Sequence, residues 1–188
     1  MSHWRRSLFP LIGLALVVTG GCTSSQPPIQ ESESANREAA ASRALIEGLR
    51  SATTFTLHSL QPYRNWEDGE NAPVDVNFER DGDGFFLGWT SLGSTDINDP
   101  ATRRRLIDAL EASIPAQLQA ACFEPRHGIR ASDGVTTYDL IICFSCGQLV
   151  WHANHESRPG LSLTRHGRET FDTLLTEAGI AIVPSGLD

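Results

Sequence analysis

The chain contains no lysine, so all 15 of its basic side chains are arginines. Against them stand 23 acidic residues, and the formal net charge at pH 7 is −8. Proteins that bind nucleic acid usually offer a basic surface to the phosphates. The charge balance therefore argues against nucleic acid as a partner. A chain of 188 residues is long enough for one domain with a real core, and the sequence has no internal repeat.

The common catalytic motifs are absent too. There is no Gly-x-Ser-x-Gly elbow, no phosphate-binding loop and no His-Glu-x-x-His motif. The Asp81-Gly-Asp83 stretch is similar to the start of a calcium loop, but the other ligands of an EF-hand are missing. The motifs assign no enzymatic reaction, and we favour a protein without one.

The N-terminus has the features of an export signal. Residues 8–18 are apolar, Arg5 and Arg6 precede them, and small residues lead to Cys22. The apolar run is too short to span a bilayer as an ordinary helix, which takes about 20 residues. The Val-Thr-Gly-Gly-Cys ending resembles the lipobox of bacterial lipoproteins, whose cysteine is lipidated and becomes the first residue after cleavage. A plain secretory signal with a chance cysteine is the alternative.

We therefore predict a signal peptide over residues 1–21 and a lipidated Cys22. The mature protein would be anchored in a membrane of the bacterial cell envelope, facing the periplasm or the exterior. Residues 22–35 are polar and lack a hydrophobic period, which predicts a flexible tether behind the lipid. Residues 36–188 then form a single domain.

Within that domain the hydrophobic pattern predicts three helices. The first covers residues 36–50, with a buried side made of Ala40, Ala44, Leu45 and Leu49. The second begins after Asn98 and Asp99 with Pro100 at the first helical position, and runs through Ser113. The third is capped by Thr164 and ends at Gly179.

The predicted strands are joined mostly by short turns. They cover residues 53–60, 74–78, 84–90, 93–97, 128–132, 135–144 and 148–152. Hairpins rather than long crossovers indicate an α+β fold, with a mostly antiparallel sheet and about three helices packed on one face.

The pairing of residues 128–132 with 135–144 decides where the cysteines lie. Asp133-Gly134 predicts a two-residue type I′ turn, in which Ser132 lies opposite Val135. That register places Cys122 on the same face as Cys143, about 7–8 Å away as a diagonal neighbour, and His127 on the other face. We therefore predict that Cys122 packs within reach of Cys143 or Cys146.

A set of motifs in this part of the chain carries a family resemblance. They are Phe85-x-Gly-Trp-x-x-Leu-Gly93, the helix over residues 99–110, Cys122-Phe-x-Pro-Arg-His127 and Ile142-Cys-Phe-x-Cys146. Together they resemble an uncharacterised family of small exported bacterial proteins. The resemblance covers residues 53–180. It implies that the Cys/Pro-Arg-His constellation is the family's hallmark, and it implies no activity.

Three interpretations of the cysteine cluster are open. In the first, two of Cys122, Cys143 and Cys146 form a structural disulfide, as exported proteins often do, and one thiol is left over. In the second, the three cysteines, with or without His127, bind zinc, because Cys143-Phe-Ser-Cys146-Gly147 resembles a zinc knuckle. In the third, Cys143 and Cys146 perform thiol redox chemistry beside the cations Arg126 and His127. We favour the first, a binding or structural module without a cofactor, whose protein or small-molecule partner the sequence does not identify.

Arg126 and His127 form the second candidate site. Pro125 restricts the backbone just before two side chains that can make several hydrogen bonds. They either line a partly open pocket or lock the hairpin in place. In the lock, which we favour, Arg126 pairs with a carboxylate such as Asp139, and His127 binds a backbone carbonyl.

Overall fold

The computed structural model describes residues 29–62, 76–114 and 122–184. These ranges form three α-helices and an antiparallel sheet of eight strands, which confirms the α+β prediction. The helices are α1 (Ile29–Ser51), α2 (Pro100–Ser113) and α3 (Arg168–Glu177). The strands are β1 (Thr54–Leu60), β2 (Phe85–Phe86), β3 (Trp89–Asp96), β4 (His127–Ser132), β5 (Thr137–Cys143), β6 (Gln148–Ala153), β7 (Glu156–Ser157) and β8 (Leu161–Ser162).

The sheet has the strand order β2-β3-β1-β4-β5-β6-β7, and β8 also pairs with β6. All three helices contribute to the main core, against the side chains of one sheet face such as Phe55, Leu57, Ile129 and Leu140. Because successive side chains of a strand point to opposite faces, Ile141 belongs to the other face. There it packs in a smaller second core with Leu60, Phe86, Leu87 and Trp89. Each face of the sheet thus has its own core.

Helix α1 begins at Ile29, so the predicted boundary at residue 36 is wrong, and so is the part of the predicted tether from Ile29 onward. The Glu33/Arg37 spacing and the alanines that follow favour helix in this region. Glu38 also fastens the helix to β8, where its Oε1 accepts a hydrogen bond from the Ser162 backbone nitrogen at 3.0 Å. The predicted signal peptide, Cys22 and the tether before Ile29 lie outside the described residues.

The buried side of α1 also differs from the predicted one. It consists of Ala41, Leu45, Ile46 and Leu49, whereas Ala40 and Ala44 are exposed. Alanine is compatible with either environment, so the packing of the large side chains Leu45, Ile46 and Leu49 decides which way the helix faces.

Helix α2 starts as predicted. The Asp99 side chain accepts a hydrogen bond from the Thr102 backbone nitrogen at 2.7 Å, and Pro100 occupies the first turn. Leu106, Ile107 and Leu110 are buried on its inner side. A local capping signal is sufficient here because all its hydrogen-bonding groups lie within one turn of the chain.

Helix α3 begins at Arg168 instead of directly after Thr164. Gly167, the residue before the helix, lies so close to α2 that an added Cβ would approach the Ala109 carbonyl oxygen to 2.5 Å. Its backbone nitrogen donates to Ser113 Oγ at 2.9 Å. Contact with α2 therefore determines where α3 begins. The helix ends at Gly179 as predicted, in a left-handed conformation with φ of 74°.

Residues 76–78 do not form the predicted strand. The chain instead makes a short 3-10 helix at Phe78–Arg80, capped by the Asn77 side chain. The hairpin in this region joins β2 to β3 across Leu87 and Gly88, whose φ angles are 52° and 88°. Two positive φ angles are what a two-residue type I′ turn requires.

The β4–β5 hairpin is the other correction. Ser132 pairs with Thr137, not with Val135, so the connection has four residues. Asp133 Oδ1 accepts hydrogen bonds from the backbone nitrogens of Val135 at 2.8 Å and Thr136 at 2.7 Å, and this side-chain turn displaces the expected type I′ turn. The register shifts by two residues, so every side chain keeps its predicted face. Among the described helices, none is long and apolar enough to cross a membrane.

Candidate functional site: the cysteine cluster and the Arg126–His127 pair

The cysteines meet at the end of β5. Strand β5 ends at Cys143, β6 begins at Gln148, and Cys146 lies in the turn between them. Cys122 lies beside this turn, because Gln148 Nε2 donates a hydrogen bond to the Cys122 carbonyl oxygen at 2.9 Å. The Cα atoms of Cys122 and Cys146 are 5.7 Å apart, within the range of about 4.4–6.8 Å that a disulfide spans. The prediction that Cys122 packs within reach of Cys143 or Cys146 is confirmed, with Cys146 as the partner.

The corrected register explains why the partner is Cys146. Paired residue numbers sum to 269 in the ladder, as in Ser132 with Thr137. Extended to Cys122, that register places it level with Gly147, next to Cys146. The predicted register placed it level with Ser145, one diagonal step from Cys143.

Cys143 is the free cysteine among the described residues, and it is buried. Its sulfur accepts a hydrogen bond from the Cys146 backbone nitrogen at 3.1 Å and lies 3.4 Å from Ser145 Oγ. An N–H directed at a cysteine sulfur also occurs in zinc knuckles, but the described ranges hold no group of three or more His, Cys, Asp or Glu residues arranged for a metal. His127 lies on the helix side of the sheet, against Phe144 and Phe171.

Arg126 is buried, with 5% of its surface exposed. Its Nε donates to the Val183 carbonyl at 3.0 Å, and Nη2 donates to the Pro184 carbonyl at 3.3 Å. Nη1 donates to the Glu124 carbonyl at 3.1 Å and to Ser145 Oγ at 3.3 Å. One guanidinium thus links the start of β4, the cysteine turn and the C-terminal segment.

Arg126 forms an ion pair with the carboxylate of Glu124, at 3.6 Å between Nη2 and Oε2, rather than with Asp139, the carboxylate named as its expected partner. Asp139 accepts a hydrogen bond from Arg130 Nε at 2.6 Å, and the two residues are direct cross-strand neighbours. Arg130 lies directly opposite Asp139 in the ladder, whereas Arg126 precedes β4 and lies four residues along the chain from Arg130.

His127 pairs with a side chain of α3 rather than with the expected backbone carbonyl. Its Nε2 lies 2.8 Å from Asp172 Oδ1, and Asp172 Oδ2 accepts a hydrogen bond from Arg168 Nε at 3.2 Å. Burial lowers the pKa of His127, although the Asp172 carboxylate acts in the opposite direction. Burial alone would raise the pKa of Asp172, but the hydrogen bond from His127 brings it below its ordinary value. A neutral imidazole that donates from Nε2 to an ionised carboxylate satisfies both shifts.

The other ring nitrogen of His127, Nδ1, has no hydrogen-bond partner among the described atoms. The His127 side chain borders a cavity of about 10 Å³. The cavity is lined by Glu124, Arg126, His127, Phe144, Ser145 and Arg168. That volume matches about one water molecule. A histidine, an aspartate and a serine occur together here, but a space of this size does not admit a substrate beside them, and the arrangement serves packing better than acyl transfer.

Comparisons of the chain with protein-family models, with curated proteins and with solved structures found no match. The geometry of the chain itself therefore carries the functional argument.

No pattern in the sequence indicates the partners of Arg126 and His127. Asp172 is 45 positions from His127, and Val183 is 57 from Arg126. The i,i+4 spacing of Arg168 and Asp172 does predict that those two pair along α3. Their position opposite His127 depends on how α3 docks, which no local pattern encodes.

Proposed function

We propose that this protein is an exported lipoprotein, held to a membrane through Cys22, whose domain acts as a binding or structural module. The observation that carries the proposal is the approach of Cys122 to Cys146, with 5.7 Å between the Cα atoms. Disulfides persist in proteins outside the reducing cytosol. A cysteine pair in this geometry is thus what an exported domain would contain, and the lipobox-like sequence before Cys22 agrees with it.

The surroundings of the pair support a structural role for the cluster. Arg126 donates hydrogen bonds to three backbone carbonyls and one hydroxyl, and the His127 ring forms a hydrogen bond with Asp172 of α3. Each of these contacts joins segments that are distant in the sequence. With the disulfide, they fasten the C-terminal segment and α3 to the β4–β5 hairpin.

The zinc and thiol-redox alternatives have less support than a structural disulfide. Pairing with Cys122 removes Cys146 as a thiolate ligand and as the redox partner of Cys143. The thiol of Cys143 is 1% exposed, so a redox partner would have to reach it through the packed turn.

The anchor is tested by replacing Cys22 with serine in the full-length protein expressed in a bacterial host. We expect Cys22→Ser to move from the membrane fraction to the soluble exported fraction, because several acyl chains are needed for a stable anchor and all would be lost. Thr23→Ser is the matched control, a change next to the lipidation site that leaves the cysteine in place. A Cys22→Ser protein that still fractionates with membranes, in the way the control does, would refute the lipid anchor.

A further inference from the structure

Residues 76–88 form a distinct unit on the sheet face opposite the helices, which we call the cover. Its backbone hydrogen bonds are largely internal, as in Asn77 N to Leu87 O at 3.1 Å and Gly88 N to Arg80 O at 2.9 Å. Within the described part of the chain, its backbone joins the rest of the sheet only where the β2–β3 hairpin meets residues 89–91. The cover is therefore held over β1, β4, β5 and β6 by side chains, not by a strand ladder.

Three histidines take part in those side-chain contacts. His58 of β1 stacks on Phe86 with ring centroids 4.1 Å apart. Phe78 lies between two histidines, edge-on to His152 at 5.1 Å and stacked on His155 at 4.3 Å. Each of the two phenylalanine rings through which the cover packs on the sheet is in contact with a group that can gain a proton.

An ion pair completes the attachment. Arg130 of β4 donates from Nη1 to Asp81 Oδ2 of the cover at 2.7 Å, and its guanidinium lies 5.2 Å from the Phe86 ring centroid. The same Arg130 binds Asp139 through Nε. The contact between the cover and the sheet thus contains both aromatic–histidine pairs and a bridged arginine.

We propose that the cover is an acid-sensitive latch, which lifts from the sheet when the histidines beneath it gain protons. Protonation of His58 places a second cation next to Arg130. Protonation of His152 places a cation next to the ring of His155. When the cover lifts, the imidazolium rings are solvated by water, and these unfavourable interactions between charged groups weaken. Lifting would expose the second core, with Leu60, Trp89 and Ile141.

The charges around each histidine set the strength of the effect. Burial, and to a smaller degree the Arg130 guanidinium of β4, lower the pKa of His58 to about 4, while Asp81 of the cover and Asp96 of β3 act in the opposite direction. Burial also lowers the pKa of His152, with Asp139 of β5 opposing and His155 adding to the shift. A lowered histidine pKa means that the closed state binds fewer protons, so acid favours the open state as pH falls below the ordinary value of 6.5.

The size of the response follows from these values. If His58 regains its ordinary pKa when the cover lifts, the open population rises about 30-fold between neutral pH and pH 5 from this group alone. Protonation of His152 increases the open population further. The buried Asp139, whose Oδ2 has no hydrogen-bond partner among the described atoms, opposes it by favouring protonated His152 in the closed state.

The experiment is hydrogen–deuterium exchange of the full-length protein in detergent, at pH 7.5 and pH 5, read by peptide and corrected for the intrinsic rate. We expect amides of residues 76–88 to exchange about 30-fold faster at pH 5 and to stay less protected than the amides of β4 and β5 at both pH values, because the cover opens without the central strands. Amides of the cover that are as protected as those of β4 and β5 at pH 5 would mean that both exchange through global unfolding and would overturn the latch, as would no acceleration at all.

Two variants test whether His58 is the group whose protonation lifts the cover. His58→Gln cannot gain a proton and should lose most of the acceleration in residues 76–88, whereas His166→Gln, at an exposed histidine away from the cover, should keep it. If His58→Gln retains the full acceleration, the proposal is wrong. If that variant does not fold, the wild-type comparison between the cover and the central strands still decides, because it needs no substitution. None of these outcomes depends on the lipid anchor.

Discussion

Arg126 Nε donates a hydrogen bond to the carbonyl oxygen of Val183 at 3.0 Å and thereby ties the start of β4 to the C-terminal segment. It is one of four hydrogen bonds that the buried guanidinium donates, three of them to backbone carbonyls, and Nη2 also lies 3.6 Å from Glu124 Oε2. Arginine is suited to such a position because its planar fork presents several donors in fixed directions. The hairpin and the end of the chain are therefore joined by a single side chain.

Replacing Arg126 should destabilise the domain. We expect Arg126→Ala to lower the free energy of unfolding by about 1–3 kcal/mol, since buried carbonyls and a hydroxyl lose their donor. Urea unfolding measures this. Arg158→Ala is the matched control, because Arg158 is exposed and pairs only with Glu156 two residues away, in the contact that the structure shows for it. An Arg126→Ala midpoint equal to that of the control would contradict the lock and point to an open pocket.

The cysteine pair makes a prediction about thiol counts. Alkylation of the mature protein, denatured without reduction, should modify one thiol, Cys143, and reduction should add the two of Cys122 and Cys146. Intact mass reads both numbers and would also reveal a bound metal under native conditions. Three reactive thiols before reduction would rule out the disulfide.

Removing the disulfide should also cost stability. The two cysteines are separated by 24 positions, and a closed loop of that size is worth about 3 kcal/mol in the chain-entropy estimate. We expect Cys122→Ser to lose stability of this order in thermal or urea unfolding, with a smaller loss for Cys143→Ser, which leaves the pair intact. Equal midpoints for the wild type and Cys122→Ser would show that the pair does not stabilise the fold.

His127 should make stability depend on pH. Its pKa is lowered in the folded state, chiefly by burial, so the unfolded chain binds the proton more readily. Its contribution to stability is complete well above pH 6.5, the ordinary value, and falls as the pH decreases below it. At pH 5.5 the loss from one such histidine reaches up to about 1.4 kcal/mol.

Unfolding free energies at pH 7.5 and pH 5.5 test this for His127→Gln against the wild type. The variant should be less stable at pH 7.5, because Asp172 loses the hydrogen bond from the imidazole and keeps only the one from Arg168 that the structure shows, and its stability should fall less between the two pH values. His166→Gln, at an exposed position, should keep the wild-type pH dependence. A His127→Gln protein with an unchanged pH dependence would show that His127 titrates alike in both states.

The features that could be predicted from the sequence alone are those with local causes. The Asp99–Pro100 cap starts α2, the alternation of Phe55 and Leu57 with polar residues makes β1 a half-buried strand, and Gly179 ends α3. In each case, the groups that interact lie within a few residues of one another, so their spacing along the chain is enough to predict the feature. The approach of Cys122 to the Cys143–Cys146 turn also followed from a hairpin pattern, because a register error of two residues leaves the faces unchanged.

One local feature was predicted wrongly: the Asp133 side chain accepts hydrogen bonds from two backbone nitrogens within three residues of it, and this changes the register and the identity of the cysteine partner. Contacts between distant segments account for the other differences. Helix α3 begins at Arg168, three residues later than predicted, because α2 leaves no room for a side chain at Gly167, and His127 meets Asp172 because of the way α3 docks. The start of α3 and the His127–Asp172 pair depend on hydrogen bonds between residues 54 and 45 positions apart, and such pairings have no signature in the spacing of neighbouring residues.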